Sequence, residues 1–278
     1  MPHRTGRSSD SPTPRRTPRL LYAAHAAFLT VYLLLLLRPP ALAAGMQAVD
    51  SLKHHVKKLE PTTVAVLVVA VVATGIGLSI RFRRWRAVIL YLTTILLITP
   101  YLPRIVIATA RMLGTTLRSL GSYIQVVTLL SMAGLLIFFL LRGGRFRQWR
   151  TYVALAAIAL GSVFVIKKLS SAAVETVHIV EYGGLAIAAF SAFRQTARWT
   201  LPACYLLAWD VTIGMGILDE LYQLVLPIRF CGLDDMLDNI TSGLIGLAFV
   251  WGFLQPDRAA PAYARHDSER LPHGNPLR

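Results

Sequence analysis

Acidic side chains are concentrated in one part of an otherwise apolar sequence. Eight of the fourteen Asp and Glu residues lie between positions 175 and 238, whereas none lies between positions 61 and 174. Carboxylates beside a histidine can exchange protons as an acid/base pair, hold a divalent metal ion or bind a basic ligand. The acidic region contains a single histidine, His178, so all three kinds of chemistry are open to it.

The spacing of these residues places them at the ends of helices. Glu175, His178 and Glu181 are three residues apart and therefore lie along one side of a helix. Asp219 ends one apolar segment, and Asp235 begins the next. We expect these helix ends to meet at one depth of a membrane. The candidate site residues are His178, Glu181, Asp219, Glu220, Gln223, Arg229, Asp235 and Asn239.

The cluster has a structural and a functional interpretation. The structural interpretation is a polar network that pins helix ends together, with Arg229 neutralising one carboxylate. The functional interpretation is a polar pocket open to the outer leaflet, in which a cation, a proton or a basic ligand balances the charge. Ionisable residues in membrane spans mark functional sites by default, which favours the pocket.

Three functions are compatible with these residues. The first is binding or accessory action at the outer leaflet, on a lipid-linked envelope precursor or a lipid-bearing antibiotic. The second is an enzyme, in which His178 and either Glu181 or Asp219 form an acid/base pair. The third is a proton- or cation-coupled transporter, since Asp210 falls near mid-membrane and could relay protons or stay neutral and hydrogen-bonded.

A divalent metal ion is the one cofactor for which the sequence offers ligands. The candidates are His178, Glu181, Asp219 and Glu220, because imidazole and carboxylate groups are common metal ligands. The sequence has no His-x-x-x-His pattern, nucleophile elbow or phosphate-binding loop. Metal binding is therefore the minority interpretation.

The composition indicates a membrane protein. The chain is 55% hydrophobic and 15% charged, whereas soluble domains carry about 25% charged residues. Its net charge of +15 comes largely from Arg clusters such as RFRRWR (81–86) and RGGRFRQWR (142–150), which separate apolar runs. Basic loops between apolar spans are typical of cytoplasmic loops, so the lipid bilayer, and not nucleic acid, is the expected partner.

The apolar runs predict an all-α polytopic membrane protein with about eight transmembrane helices, since a span needs about 20 apolar residues. The predicted spans are 20–37, 62–80, 86–102, 122–141, 151–166, 176–193, 201–218 and 236–254. With this count, segments on the side of the N-terminus carry 19 Lys and Arg residues, against ten on the other side. The positive-inside rule then places both termini in the cytoplasm of a bacterial cell membrane and the acidic cluster, except Asp210, at the outer face.

The two ends of the chain are expected to be cytoplasmic tails. Residues 1–19 and 256–278 are polar and basic without an apolar period, which predicts disorder. The motif Ala41-Leu42-Ala43 resembles a signal-peptidase site. We expect an uncleaved anchor, because the preceding apolar run is long for a signal peptide; cleavage of residues 1–43 would leave seven spans and the same orientation.

Three stretches, HIVEYGGL, ILDELYQLVLPIRF and DDMLDNITSGLIG, resemble the VanZ-like family, which is named from a glycopeptide-resistance cluster. The residues that carry the resemblance are Glu175, His178, Glu181, Tyr182, Asp219, Glu220, Gln223, Pro227, Arg229, Asp235, Asn239 and Gly246. The chain departs from the family pattern at Glu175, Ser242, Asp210 and Asp238.

The resemblance covers residues 150–254 and implies a four-span VanZ-like domain, which we bound at 142–255. A further four-span region, 20–141, precedes that domain and has no role assigned by the resemblance. The family implies a protein of the cytoplasmic membrane linked, in its namesake, to teicoplanin resistance. We expect a broader role in the cell envelope.

Overall fold

The computed structural model describes residues 58–142, 148–169, 173–196, 199–227, 229 and 231–255, together with 22–23, 25–30, 32, 43–48, 51 and 56 nearer the N-terminus. From residue 58 onward its α-helices are α1 (Pro61–Arg81), α2 (Arg86–Ile98), α3 (Leu102–Met112), α4 (Leu117–Arg142), α5 (Trp149–Phe164), α6 (Val177–Gln195), α7 (Leu201–Val225) and α8 (Leu233–Phe249). Short 3₁₀ helices, Arg83–Trp85 and Ala173–Thr176, precede α2 and α6, and π-helical turns, Val165–Leu169 and Val250–Leu254, extend α5 and α8. The described residues contain no β-strand, which confirms the predicted all-α fold for this part of the chain.

Among the residues that the structure describes, five helices are long and apolar enough to cross a membrane, when α5 and α8 are counted with their π-helical turns. They are Pro61–Arg81, Leu117–Arg142, Trp149–Leu169, Leu201–Val225 and Leu233–Leu254. Arg83–Ile98 and Leu102–Met112 meet the same criterion together, as a pair bent by 63°. The helices therefore fit a membrane protein with five spans, or six if the bent pair is one span.

Two of the other predicted spans, 176–193 and 20–37, are not confirmed as membrane-spanning helices. The predicted span 176–193 is a helix, α6, but its 19 residues include His178, Glu181 and Arg194 and it is not among the helices apolar enough to span. Most of the predicted span 20–37 lies outside the described residues. The count of eight is therefore not confirmed.

The predicted third span, 86–102, is interrupted. Helix α2 ends at Ile98, and the chain turns through residues 99–101 into α3. Pro100 lacks the N–H that would continue the helix, and Pro103 stands in the first turn of α3, where proline is tolerated. The bend leaves Thr99 buried at the end of α2, where it faces the candidate site.

Helix α8 is held close to both of its neighbours by glycines. A Cβ on Gly246 would collide with the backbone of Gly183 in α6, and a Cβ on Gly243 would lie 2.6 Å from Thr212 Cγ2 in α7. Small residues allow helix backbones to approach closely, which is the usual way that helices pack in membranes. The second half of α8 is thereby held against α6 near Gly183 and against the middle of α7 near Thr212.

The segment before α1 caps the C-terminal end of α7. The Leu59 N–H donates to the Val225 carbonyl at 2.8 Å, and Lys58 Nζ donates to the Leu224 carbonyl at 2.8 Å and the Arg229 carbonyl at 2.9 Å. The last carbonyls of a helix lack intrahelical partners and carry partial negative charge. A lysine at this position therefore stabilises the helix end that carries Asp219 and Glu220.

Candidate functional site

Asp219 joins three helices through hydrogen bonds. Its Oδ1 accepts from Thr99 Oγ1 at the end of α2 (3.1 Å), and its Oδ2 accepts from Tyr182 Oη in α6 (3.1 Å) and from Gln223 Nε2 one turn further along α7 (3.0 Å). The side chain is almost completely buried. Both carboxylate oxygens therefore lie within hydrogen-bond distance of a donor, as a buried carboxylate requires. The single hydroxyl hydrogen of Thr99 is shared between Asp219 Oδ1 and the carbonyl of Ile95, which lies 2.9 Å from Thr99 Oγ1.

Glu220 joins α7 to the start of α8. Its Oε1 accepts from Gln223 Nε2 at 2.7 Å, and its Oε2 accepts from the backbone N–H of Gly232 at 3.0 Å. Gly232 is the N-cap of α8, and a Cβ there would lie 2.5 Å from Asp235 Oδ2. A side chain at this position would therefore displace the Asp235 carboxylate from its place beside the start of α8.

His178 is the imidazole of the cluster. Its Nδ1 lies 3.0 Å from Glu181 Oε2, and the two side chains are 10% and 28% exposed, respectively. His178 also interacts electrostatically with carboxylates from α7 and α8, namely Asp219, Glu220, Asp235 and Asp238. One imidazole therefore faces five carboxylates.

Asn239 is fully buried, and its side chain has no hydrogen-bond partner at either Nδ2 or Oδ1 among the described residues. It lies in the seam between α7 and α8, where a Cβ on Gly216 would be 2.8 Å from Asn239 Cβ. Gly216 is one turn before Glu220 on α7, and Asn239 is one turn after Asp235 on α8. The unpartnered amide therefore lies directly beneath the buried carboxylates, whereas its neighbour Asp238 accepts a hydrogen bond from Ser242 Oγ at 2.9 Å.

Arg229 does not neutralise a carboxylate of the cluster in the part of the chain that the structure describes, so this part of the structural interpretation is wrong. Its Nε is buried without a hydrogen-bond partner there. The residue instead lines a separate cavity of about 210 Å³ together with Arg104. The negative charge of the site is thus less compensated than the sequence suggested.

Asp210 lies outside the carboxylate cluster around His178. Its Oδ1 lies 2.7 Å from His25 Nε2, in the N-terminal part of the chain. The ring of Trp209 also packs on His25, with ring centroids 6.4 Å apart. Sequence reasoning left the partner of Asp210 open, and nothing in the spacing pointed to His25.

Two donors to the cluster were missed by sequence reasoning. Thr99 is 120 residues before Asp219, and no local pattern links them. Gly232 donates through its backbone, which no side-chain pattern reveals. The one available signal was the position of Thr99 beside Pro100, since a residue preceding proline often ends a helix.

The four predicted metal ligands lie near one another, but no three of them converge on a common point. They are His178, Glu181, Asp219 and Glu220. Across the described ranges, no group of three or more His, Cys, Asp or Glu side chains is placed so that it could hold a metal ion. The oxygens of Asp219 and Glu220 instead accept hydrogen bonds.

We predict that Thr99→Val destabilises the fold by about 1–3 kcal/mol, because it removes a hydroxyl donor from a buried carboxylate and leaves the shape of the side chain nearly unchanged. Thermal unfolding of the purified protein in detergent measures the effect.

The matched control is Thr94→Val on the same helix. Thr94 is exposed, and its hydroxyl donates to the carbonyl of Leu90; we expect a change of about 0.5 kcal/mol or less. Equal unfolding temperatures for the two variants would show that the contact between Thr99 and Asp219 contributes nothing to the fold.

Comparison with known proteins gives no relative for this chain. No protein-family model matches it, and no curated protein sequence and no solved structure is significantly similar to it. The function must therefore be inferred from the site.

Proposed function

We propose that the chain is a polytopic protein of the bacterial cytoplasmic membrane, and that its acidic cluster binds a cationic group of a cell-envelope molecule at the outer face. The observation that carries the proposal is the composition of the site: acidic side chains from α6, α7 and α8 lie around one imidazole, His178, beside a buried amide that has no partner among the described residues. Buried charges need a partner of opposite sign. A ligand with an ammonium group supplies that charge and hydrogen-bond donors together.

The carboxylates of the cluster fall into two groups: those that are bonded to the protein and those that are accessible to a ligand. Asp219 and Glu220 are buried, and both of their carboxylate groups are engaged by the protein. Glu181 and Asp235 are only half-buried, and Asn239 lies beneath them with its amide unused. In this proposal the ligand's ammonium group contacts Glu181 and Asp235.

The assignment to the cell envelope rests on the resemblance to the VanZ-like family. Under this proposal, residues 142–255 form the four-span domain of that family, 20–141 adds four spans, and the tails are cytoplasmic. Helix α8 packs against α5, α6 and α7, which supports treating these four helices as one unit. Handling of a lipid-linked envelope molecule is the role we propose, with glycopeptide resistance as one form of it.

Acid/base catalysis on a membrane lipid is the second candidate. The observation that favours it is the His178–Glu181 pair at 3.0 Å, which is partly accessible. A carboxylate hydrogen-bonded to one imidazole nitrogen leaves the other nitrogen to accept or donate a proton. Complete loss of activity in cells for His178→Ala, with normal folding, would favour catalysis over binding.

We predict that ethanolamine raises the unfolding temperature of the purified protein at constant ionic strength. A ligand that binds only the folded state stabilises it by about 2.7 kcal/mol at one hundred times its dissociation constant. Sodium at equal concentration serves as the reference. Asp235→Asn should remove most of the stabilisation, because it deletes one of the two accessible carboxylates.

The matched control is Glu60→Gln, which removes an exposed carboxylate that makes no side-chain capping bond at the start of α1. This variant should keep the full response to ethanolamine. The absence of any ethanolamine response in the native protein, or the same response in Asp235→Asn, would contradict the proposed binding site.

We predict that the loop between α7 and α8 faces the cell exterior. A membrane-impermeant maleimide should label Pro227→Cys in intact cells, and should label Phe82→Cys only after the cells are broken. Both positions are exposed, and the protein's own cysteines, Cys204 and Cys231, are buried. The reverse labelling pattern would place the cluster on the cytoplasmic side.

We predict that deletion of the gene changes the abundance of an amine-bearing envelope lipid. Complementation with the native gene or with Glu60→Gln should restore the lipid profile, and Asp235→Asn should not. Lipidomics of the four strains measures this, and teicoplanin susceptibility of the same strains tests the resistance role. An unchanged lipid profile in the deletion strain would contradict the envelope role.

A further inference from the structure

A cavity of about 210 Å³ lies at one end of the helix bundle, between the start of α1, the start of α3 and the loop after α7. Its charged lining residues are Arg104 and Arg229, and no carboxylate is among the described residues that line it. Helix α1 begins and α7 ends at this cavity, and both are long and apolar enough to cross a membrane. The cavity therefore lies where the bundle meets one boundary of the membrane.

Arg229 has a buried donor that the protein does not use. Its Nε is buried without a hydrogen-bond partner among the described residues. Its backbone is held in place, since Lys58 Nζ donates to the Arg229 carbonyl at 2.9 Å. A buried donor without an acceptor destabilises a protein, so a ligand oxygen at this point gains a hydrogen bond and relieves that cost.

Arg104 brings a second positive charge to the same cavity. It stands in the first turn of α3 and is exposed. In the part of the chain that the structure describes, neither Arg104 nor Arg229 forms an ion pair with a carboxylate. Glu60, which directly precedes Pro61, is exposed and is not among the residues that line the cavity. Two guanidinium groups therefore share the cavity without a counter-ion from the described residues.

Two helix N-termini add to this positive charge. Pro61 is the first residue of α1 and Tyr101 is the N-cap of α3, and both line the cavity. Neither helix start has a side-chain capping hydrogen bond. The first N–H groups of a helix lack intrahelical partners and carry partial positive charge, so helix N-termini favour anions. The arginines and the helix ends therefore select ligands of the same, negative sign.

We propose that this cavity is an anion site that binds a phosphate group, supplied by a phospholipid at the membrane boundary or by the free ion. A phosphate group offers several acceptor oxygens, and arginine binds it through paired N–H donors. One phosphate group therefore has acceptors for both arginines and for a helix N-terminus at once, whereas a carboxylate has only two oxygens. Binding here is independent of the proposed cationic ligand, because the cavity uses side chains outside the carboxylate cluster and selects the opposite charge.

Native mass spectrometry of the full chain, released from detergent micelles, measures binding of the lipid. The probes are phosphatidylglycerol and the diacylglycerol with the same hydrocarbon chains, which lacks the phosphate group. We expect the native protein to retain one phosphatidylglycerol about ten-fold more often than one diacylglycerol, a ratio that corresponds to about 1.4 kcal/mol. Equal retention of the two lipids would exclude a phospholipid as the ligand.

Arg104→Gln removes one of the two charges and should reduce the retention of phosphatidylglycerol about five-fold. Because Arg104 is exposed, this variant should unfold at the temperature of the native protein. Arg229→Lys keeps the charge but loses the paired N–H donors, and should reduce retention about three-fold. The matched control is Arg118→Gln, since Arg118 is exposed, lies in the first turn of α4 and does not line the cavity; it should retain the lipid as the native protein does.

Thermal unfolding in detergent measures binding of the free ion, with sodium phosphate compared against sodium chloride at equal ionic strength. A phosphate-dependent rise in unfolding temperature that Arg104→Gln removes, with lipid retention unchanged in that variant, would identify free phosphate as the ligand. Reduced lipid retention in Arg104→Gln and Arg229→Lys, but not in Arg118→Gln, would identify the phospholipid. If neither ligand distinguishes Arg104→Gln from Arg118→Gln, the anion site is overturned.

Discussion

Asp219 and Glu220 are adjacent carboxylates buried at the C-terminal end of α7, where the helix dipole opposes negative charge. Removing charged groups from water costs several kcal/mol each unless donors are supplied. The donors come from elements that are distant in sequence: Thr99 at the end of α2, Tyr182 in α6 and the backbone of Gly232 before α8. The hydrogen bonds of Asp219 and Glu220 therefore connect α2, α6, α7 and the start of α8. Lys58 donates to the carbonyl of Leu224 at the same end of α7.

This network explains why the structural and functional interpretations of the cluster are not exclusive. Asp219 and Glu220 hold the helices, and a site built on that support can keep its other groups unsatisfied. Asn239 is the extreme case, since an amide without hydrogen bonds inside a protein is unfavourable by about 1–3 kcal/mol. Its Cβ packs against Gly216, which places the amide in the seam between α7 and α8.

The sequence predicted the helices better than it predicted their meeting points. Hydropathy placed the spans at 62–80, 122–141 and 201–218, each within the corresponding helix, because the apolar length of a span is a local property. Helical spacing likewise predicted that Glu181 lies near His178. The contact of Thr99 with Asp219 and the separation of Arg229 from the cluster depend on the bend after α2 and on the path of the loop before α8. Both are tertiary properties, which no periodicity encodes.

The pairing of Asp210 with His25 bears on the transporter interpretation. Asp210 is nine residues before Asp219, about 13 Å along α7, and a proton path would need polar groups between them. Trp209, next to Asp210, packs against Phe28 and Tyr32, with ring centroids 5.6 Å and 6.3 Å apart. The hydroxyl of Tyr32 is itself engaged with Thr241 Oγ1 at 2.6 Å. The His25–Asp210 pair therefore joins the N-terminal segment of the chain to α7.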